Sequence, residues 1–322
     1  IVAGKPEGWG SLLRADIVMS MVPSLLGRWA QLEKKGTANA SDPAAGERNA
    51  LLNRLATFIK AKLLKSKMGS LVWTESIDIE DHCKATARKI MELAGRSSTE
   101  HQSCCYHSLP ALFRSMPSGI NAAASIYSEA VDEWSTKKST RVDARLFEDL
   151  INSVPSIAQS ILVLPLTKAA PGARSSFLKS ECFRLIATLY NPKINNAANE
   201  QEKESLEKLM GARENFIESA LSTLEDSEMQ KAKRLKEVLR SIEKVVSFTS
   251  PHEALNRALP SDSLQKLEKG LKDVAEKTDS DAVKSLCESL VSRLSTDLQS
   301  APKQTTSSKQ NKKKKKKGKK KR

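Results

Sequence analysis

Apolar residues recur three and four positions apart along most of this 322-residue chain. Such a spacing places side chains on one face of an α-helix, whereas a half-buried strand alternates at every second position. Alternation at period two is nearly absent, and residues 74–79 are the one short candidate. The periodicity therefore predicts an all-α fold. Two clear stripes are Leu264, Leu267, Leu271 and Val274, and Val283, Leu286, Leu290 and Leu294.

Prolines and short polar breaks separate these stripes, so the predicted helices are short. Asp42 followed by Pro43, for example, is typical of an N-cap with proline at the first helical position. Many short antiparallel helices favour an α-solenoid of the HEAT or armadillo type, with an irregular helical bundle as the alternative. The predicted helices cover residues 11–35, 43–67, 78–95, 99–116, 119–137, 143–153, 155–168, 173–190, 199–225, 228–248, 261–276 and 280–299.

Composition changes along the chain predict three regions. A polar break at residues 191–199 precedes a helix rich in charged residues. We therefore expect a helical-repeat region at 1–191 and a charged helical region at 192–299. Residues 300–322 are of low complexity and have almost no apolar side chain to bury, so they are predicted to form a disordered tail.

The net charge of +15 is concentrated at the C-terminus. Residues 303–322 contain 12 basic residues and no acidic one, which leaves a net charge of only +3 on residues 1–302. Closely spaced cations bind phosphates by releasing counterions, and such a run also matches a nuclear-localisation signal. The alternative is a tail that only increases solubility. The predicted nucleic-acid-binding or nuclear-localisation residues are Lys312, Lys313, Lys314, Lys315, Lys316, Lys317, Lys319, Lys320, Lys321 and Arg322.

A second, smaller group of cations lies between two predicted helices. Lys137, Lys138, Arg141 and Arg145 form this basic corner. They are either part of a solvated loop or a patch that contacts the phosphates of RNA or DNA. Charge alone favours neither interpretation.

Histidines and cysteines are concentrated between positions 82 and 107, and zinc sites use the same residue types. The paired C-x-x-C spacing that is typical of such sites is missing. His101, Cys104 and Cys105 are instead at positions i, i+3 and i+4 of a predicted helix, where cysteine is commonly a small buried apolar residue. We therefore expect a structural role and no metal or other cofactor. Five cysteines without framework spacing fit a reducing compartment better than a secreted disulfide scaffold.

The sequence contains no catalytic motif of the nucleophile-elbow, zinc-protease or kinase type. Residues 278–281, T-D-S-D, precede an apolar stripe and read as a helix N-cap with acids in the first turn. We therefore expect the chain not to be an enzyme. Mean hydropathy is −0.43, and the longest uncharged apolar stretch, at 153–167, is too short to span a bilayer. No membrane partner is expected.

The most distinctive stretch runs from Tyr127 to Pro155. A helix that carries Tyr127 and Trp134 leads into W-S-T-K-K-S at residues 134–139, and R-L-F-E-D-L-I-N follows at residues 145–152. This order resembles the Myb-binding protein 1A family, whose fungal members are called DNA polymerase phi or polymerase V.

Other segments add to this resemblance. Residues 160–190, with A-R-S-S-F-L-K-S-E-C-F-R-L-I-A-T-L-Y at 173–190, are similar to the next helices of the family, and residues 51–67 are similar, less specifically, to an upstream helix. The lysine-rich end completes the likeness, which in its specific part covers about a fifth to a quarter of the chain. The chain begins with Ile1 rather than Met. We therefore expect a fragment, and the resemblance implies the C-terminal part of a larger protein.

The resemblance implies a nucleolar helical-repeat protein that acts in ribosomal RNA gene transcription and ribosome biogenesis. Nucleic acid, either ribosomal DNA or pre-ribosomal RNA, would bind the tail, and nucleolar or transcription proteins would bind the helical surfaces. A DNA-binding transcription regulator of the corepressor kind is the alternative, and a DNA polymerase subunit is a weaker one. A polymerase needs metal-binding aspartates on a sheet, and the sequence predicts neither.

Overall fold

The computed structural model describes residues 15–37, 45–59, 78–95, 98–114, 119–195, 200–256 and 258–300. Within these ranges there are helices, turns and loops but no strand, so the predicted all-α class is confirmed. None of the helices described is long and apolar enough to cross a membrane. The helices are α1 Ala15–Thr37, α2 Ala45–Phe58, α3 Ile79–Ala94, α4 Thr99–Arg114, α5 Gly119–Thr136, α6 Ala144–Ser153, α7 Pro155–Gly172, α8 Ser176–Leu189, α9 Glu200–Gly211, α10 Arg213–Leu224, α11 Ala232–Val246, α12 Ser261–Lys277 and α13 Asp281–Ser300.

The helices stack in two layers. The first layer contains α1, α3, α5, α7, α10 and α12, and each of these helices packs against the next in that order. The second layer contains α4, α6, α8, α11 and α13, again with each packed against its successor. Pairs such as α3 with α4, α7 with α8 and α12 with α13 connect the layers. This nearest-neighbour stacking is the architecture of an α-solenoid, as predicted.

One predicted helix is wrong. Where the sequence predicts one helix at 199–225, the structure has two, α9 and α10, which are separated at Ala212. Gly211 ends α9, and glycine lowers helix propensity by about 1 kcal/mol relative to alanine. The Ala212 N–H is shared between the carbonyl groups of Lys208 and Leu209, at 3.1 and 3.2 Å. The break lets α10 enter the first layer while α9 packs separately against α7.

A continuous hydrophobic core fills the space between the layers and extends from Val22 in α1 to Leu294 in α13. Phe183 of α8 meets Phe216 of α10 edge to face, with ring centroids 5.5 Å apart. Residues on both sides of position 191 thus share one core, and the division into three regions stays a prediction. The predicted continuation of the second helix to residue 67 and the polybasic tail lie outside the described residues.

An aromatic cluster fills the core beneath the loop between α5 and α6. Phe113 packs against Tyr127, Tyr127 against Phe147, and Phe147 against Trp134. The centroid distances are 5.9, 6.4 and 5.2 Å in that order. All four side chains are buried, so this cluster anchors the end of α5 from which the basic corner begins.

Candidate functional site

The basic corner is the loop that connects α5 to α6, together with the first turn of α6. Its four cations are exposed. Two of them have acidic neighbours: Lys137 Nζ lies 3.4 Å from Glu133 Oε2, and Arg145 Nε lies 3.5 Å from Asp143 Oδ2. Exposed pairs of this kind contribute little to stability, but they reduce the charge that is available to a ligand.

Hydrogen bonds hold this loop in a defined conformation. The Thr140 hydroxyl donates to Glu133 Oε1 over 3.0 Å and accepts from the Val142 N–H over 3.0 Å. From α4, the Tyr106 hydroxyl donates to the Arg141 carbonyl over 3.4 Å. The cations are therefore presented by a backbone that is tied to two helices, and a ligand would not have to order it.

Arg141 also packs against the turn after α3. Its aliphatic stem lies over Gly95, where a side-chain Cβ would come within 2.6 Å of Arg141 Cγ. The absence of a Cβ at Gly95 allows the stem to lie flat on the backbone. Arg141 is nevertheless an exposed residue.

A further cation, Arg174, joins the corner from the loop between α7 and α8. Its N–H donates to the carbonyl of Ser135 over 3.0 Å, and its side chain is exposed. In the part of the chain that the structure describes, Lys138, Arg141 and Arg174 make no ion pair with an acid. We call these three residues the basic edge.

Arg174 was not among the predicted site residues, because it is distant from the corner in sequence. The layered fold explains the proximity. Helices α5 and α7 are neighbours in the first layer, so the loops that follow them emerge at the same edge. The sequence places Arg174 just inside the helix predicted at residues 173–190, whereas the observed helix begins at Ser176, so a search of the predicted interhelical loops alone would not have included Arg174.

Arg145 has acidic neighbours besides Asp143. It lines a groove of about 380 Å³ between α4 and α6, together with Glu100 and Asp149. His107 Nδ1 lies 3.2 Å from Asp149 Oδ2 and 2.9 Å from the Ser103 carbonyl. Both neighbours are acceptors, so this nitrogen carries a proton. Because the groove combines both signs of charge, Arg145 does not extend the basic edge.

A larger cavity, of about 610 Å³, lies among α10, α11 and α13. Its two arginines have structural partners. Arg213 Nη2 donates to the Val246 carbonyl at the end of α11 over 2.7 Å, and Arg293 Nη1 pairs with Glu243 Oε1 at 2.7 Å. Arg213 thus satisfies a carbonyl that the helix end leaves without an intrahelical partner. Neither side chain adds to the basic edge.

Four members of the cysteine and histidine cluster lie in the core: Cys83, His101, Cys104 and Cys105. His101 Nε2 lies 2.8 Å from the Leu26 carbonyl, which can only accept, so this nitrogen carries the proton. His101 Nδ1 is then the acceptor for the Cys105 thiol at 3.7 Å. Burial raises the pKa of the Cys105 thiol and lowers the pKa of His101. The pair is therefore neutral, and the thiol is not activated as a nucleophile.

The other cysteines are equally enclosed. All five are buried free thiols. Burial raises the pKa of Cys83 and Cys182 to about 12 and that of Cys287 to about 11. Over the described ranges, no three His, Cys, Asp or Glu side chains are grouped so that they could hold a metal ion. The predicted structural placement of Cys104 and Cys105 is confirmed.

No family model matches the chain, and no curated protein matches its sequence. Among solved structures, it is similar to an archaeal HEAT-like repeats protein from Thermococcus onnurineus NA1, with 11% identity and a TM-score of 0.29. That alignment covers 76% of this chain and 97% of the other. A chain from the computational design of self-assembling cyclic homooligomers matches with 14% identity and a TM-score of 0.23, over 88% of this chain and 95% of the other. At these scores the assignment of the fold depends on the helix packing described above.

Proposed function

We propose that this chain is a non-enzymatic helical scaffold that binds nucleic acid through phosphate contacts and acts in the nucleolus, in ribosomal RNA gene transcription and ribosome biogenesis. The proposed binding of nucleic acid is supported by the basic edge. The hydrogen bond from the Arg174 N–H to the Ser135 carbonyl holds the loop of Arg174 against the end of α5, from which Lys138 and Arg141 follow, and within the described chain no acid pairs with these three exposed cations. The nucleolar part is supported by the sequence resemblance and by the polybasic tail.

Phosphate contacts explain why this arrangement suits sequence-independent binding. Cations that neutralise phosphates release condensed counterions, and the resulting affinity does not depend on base sequence. Both loops of the edge are tied to helices, by the bond between Tyr106 and Arg141 and by the bond between Arg174 and Ser135. A surface that is already ordered loses less conformational entropy on binding. The tail would add affinity of the same kind.

The basic edge can be tested by charge reversal in the full chain. The triple variant Lys138→Glu, Arg141→Glu and Arg174→Glu removes three phosphate contacts, and a matched triple of exposed lysines on α11 and α12 makes the same change in net charge. Binding to a fluorescent RNA is measured by anisotropy over a range of salt concentrations. The edge variant should flatten the plot of log affinity against log salt by about 2–3 units of slope. The control variant carries Lys244→Glu, Lys266→Glu and Lys269→Glu.

The control determines how the result is interpreted. If both triples reduce affinity and slope equally, net charge rather than the edge is responsible. If the edge variant binds like the unaltered chain, the proposed interface is wrong. Circular dichroism of each variant establishes that the helical content is unchanged.

Deletion of residues 309–322 tests the proposal that the chain acts in the nucleolus. The truncated chain should accumulate less in nucleoli and should show a weaker salt dependence of binding, while its helicity stays the same. Unchanged localisation together with an unchanged salt slope would contradict the role of the tail.

The proposal that the chain is not an enzyme has a direct test as well. Asp281 lies in the first turn of α13 and Asp279 precedes it, as expected for acids at a helix start. Purified protein should extend no primer. Nucleotide incorporation that is lost on replacing Asp279 and Asp281 with Asn would support a polymerase instead.

A further inference from the structure

An exposed aromatic ring stands next to the basic edge. Phe177 lies in the first turn of α8, three residues after Arg174, and 49% of its surface is exposed. The guanidinium carbon of Arg234, from the first turn of α11, lies 4.7 Å from the centroid of the Phe177 ring. One face of the ring is thus covered by a cation, while about half of the side chain remains open to solvent.

The surroundings of Phe177 fix the ring in place. Ser175 caps α8 by accepting a hydrogen bond from the Leu178 N–H over 3.3 Å. Arg234 Nη1 is held 2.8 Å from Glu237 Oε2, so the cation that covers the ring is itself anchored. Partial burial raises the pKa of the Glu237 carboxyl. Hydrogen bonds from Arg234 and Ser180 lower the same pKa, and the net shift is downward. Glu237 therefore remains charged at neutral pH.

Among the residues that the structure describes, Phe177 is not part of a larger apolar patch. The other large exposed apolar residues in the described chain are Met21 in α1, Leu51 in α2 and Leu164 in α7. Leu164 lies about two turns before the end of α7, roughly 12 Å along the helix axis from the edge where Phe177 lies. Protein interfaces usually bury a contiguous apolar centre, which this surface lacks. An isolated ring among cations is instead the combination that binds single-stranded nucleic acid.

We propose that the basic edge and Phe177 together bind single-stranded nucleic acid, with one base stacked on the Phe177 ring and phosphates contacting Arg174, Arg141 and Lys138. This inference rests on the proposed nucleic-acid binding and specifies its ligand. In a duplex each base is stacked between its neighbours, so an exposed protein ring has no free base to contact. An unpaired strand offers free base faces, and stacking on an aromatic ring tolerates any base.

The experiment compares a fluorescent oligouridylate with an RNA duplex of the same length, using the full chain. Phe177→Ala should weaken oligouridylate binding about 5-fold or more, the lower end of what one stacked base contributes. Duplex binding should change by less than about twofold, because phosphate contacts are kept. Phe177→Trp should restore oligouridylate binding. Leu51→Ala removes an equally exposed apolar side chain on α2 and should have no effect.

Photocrosslinking gives a local measurement that the polybasic tail does not influence. An oligouridylate that carries thiouridine should crosslink within residues 175–179, the peptide that trypsin releases by cutting after Arg174 and Lys179. Crosslinks confined to residues 303–322 would overturn the inference.

The outcomes separate this inference from the proposed function. If Phe177→Ala affects neither probe, or both equally, while the basic-edge triple weakens both, the stacking site is wrong and phosphate binding stands. If the basic-edge triple affects neither probe, the proposed interface fails, and the inference fails with it. Preference for a polyglutamate peptide over oligouridylate would identify the edge as a protein-binding surface and would overturn the inference.

Discussion

The end of α5 contains two kinds of surface that are separated by one helical turn. Trp134 is 4% exposed and packs against Phe147 in the core, whereas the Lys137 side chain, three residues later, is 61% exposed. The aromatic side chains beneath the edge contribute to folding stability, and the cations above it belong to the surface that we propose binds nucleic acid. Because the two sets share no side chain, substitutions can test stability and binding separately.

The largest effect is expected at Trp134. Trp134→Ala removes a buried indole and should lower the free energy of unfolding by about 3–5 kcal/mol. Urea denaturation followed by circular dichroism measures this change. At temperatures where the variant is still folded, its affinity for RNA should match that of the unaltered chain, because the cations remain in place. A loss of affinity in folded variant protein would mean that the two surfaces are coupled.

A smaller effect is expected where the core meets the edge. Gly95→Ala places a Cβ against the Arg141 stem and should destabilise the fold by about 1–3 kcal/mol through overpacking. The lower conformational entropy of the unfolded alanine variant offsets less than about 1 kcal/mol of this. Gly27→Ala is the control, since a Cβ there meets nothing within 4 Å inside α1. The control should raise stability by about 1 kcal/mol. If both substitutions lowered stability, or both raised it, the result would contradict the described packing of Arg141.

The fold was largely predictable from sequence because helical periodicity is local. The stripe from Leu264 to Val274 is buried in α12, and the stripe from Val283 to Leu294 is buried in α13 except for Leu286, which is partly buried. The break between α9 and α10 was missed because Gly211 alone does not end a helix. It depends on tertiary packing: both helices pack against α7, and α10 also packs against α11 and α12.

The candidate site was only partly predictable. Lys137, Lys138, Arg141 and Arg145 are close in sequence and could be found as a cluster, but sequence could not assign Arg145 to a separate groove of mixed charge. The other part of the surface comes from the loop at Arg174 and the ring of Phe177, which only the stacking of helices brings to the same edge. Burial of Cys105 was predictable from its position in a helical stripe, whereas its hydrogen bond to His101 was not.

The smallest effect distinguishes two buried tyrosines. Within the described chain, the Tyr127 hydroxyl is buried without a hydrogen-bond partner, whereas the Tyr190 hydroxyl donates to the Leu209 carbonyl over 2.7 Å. Tyr127→Phe removes an unsatisfied group and should raise the free energy of unfolding by about 1 kcal/mol, while Tyr190→Phe should lower it by about 1 kcal/mol. Urea denaturation of the two variants measures both changes.

Neither tyrosine lies on the basic edge, so RNA affinity should stay the same in both variants. If Tyr127→Phe instead lowers stability, its hydroxyl has a partner, for example a buried water that reaches the hydroxyl from the groove lined by Asp149 and Tyr106. In that case the aromatic cluster beneath the edge would include a polar path to the surface, and the separation between core and edge would be incomplete at that point.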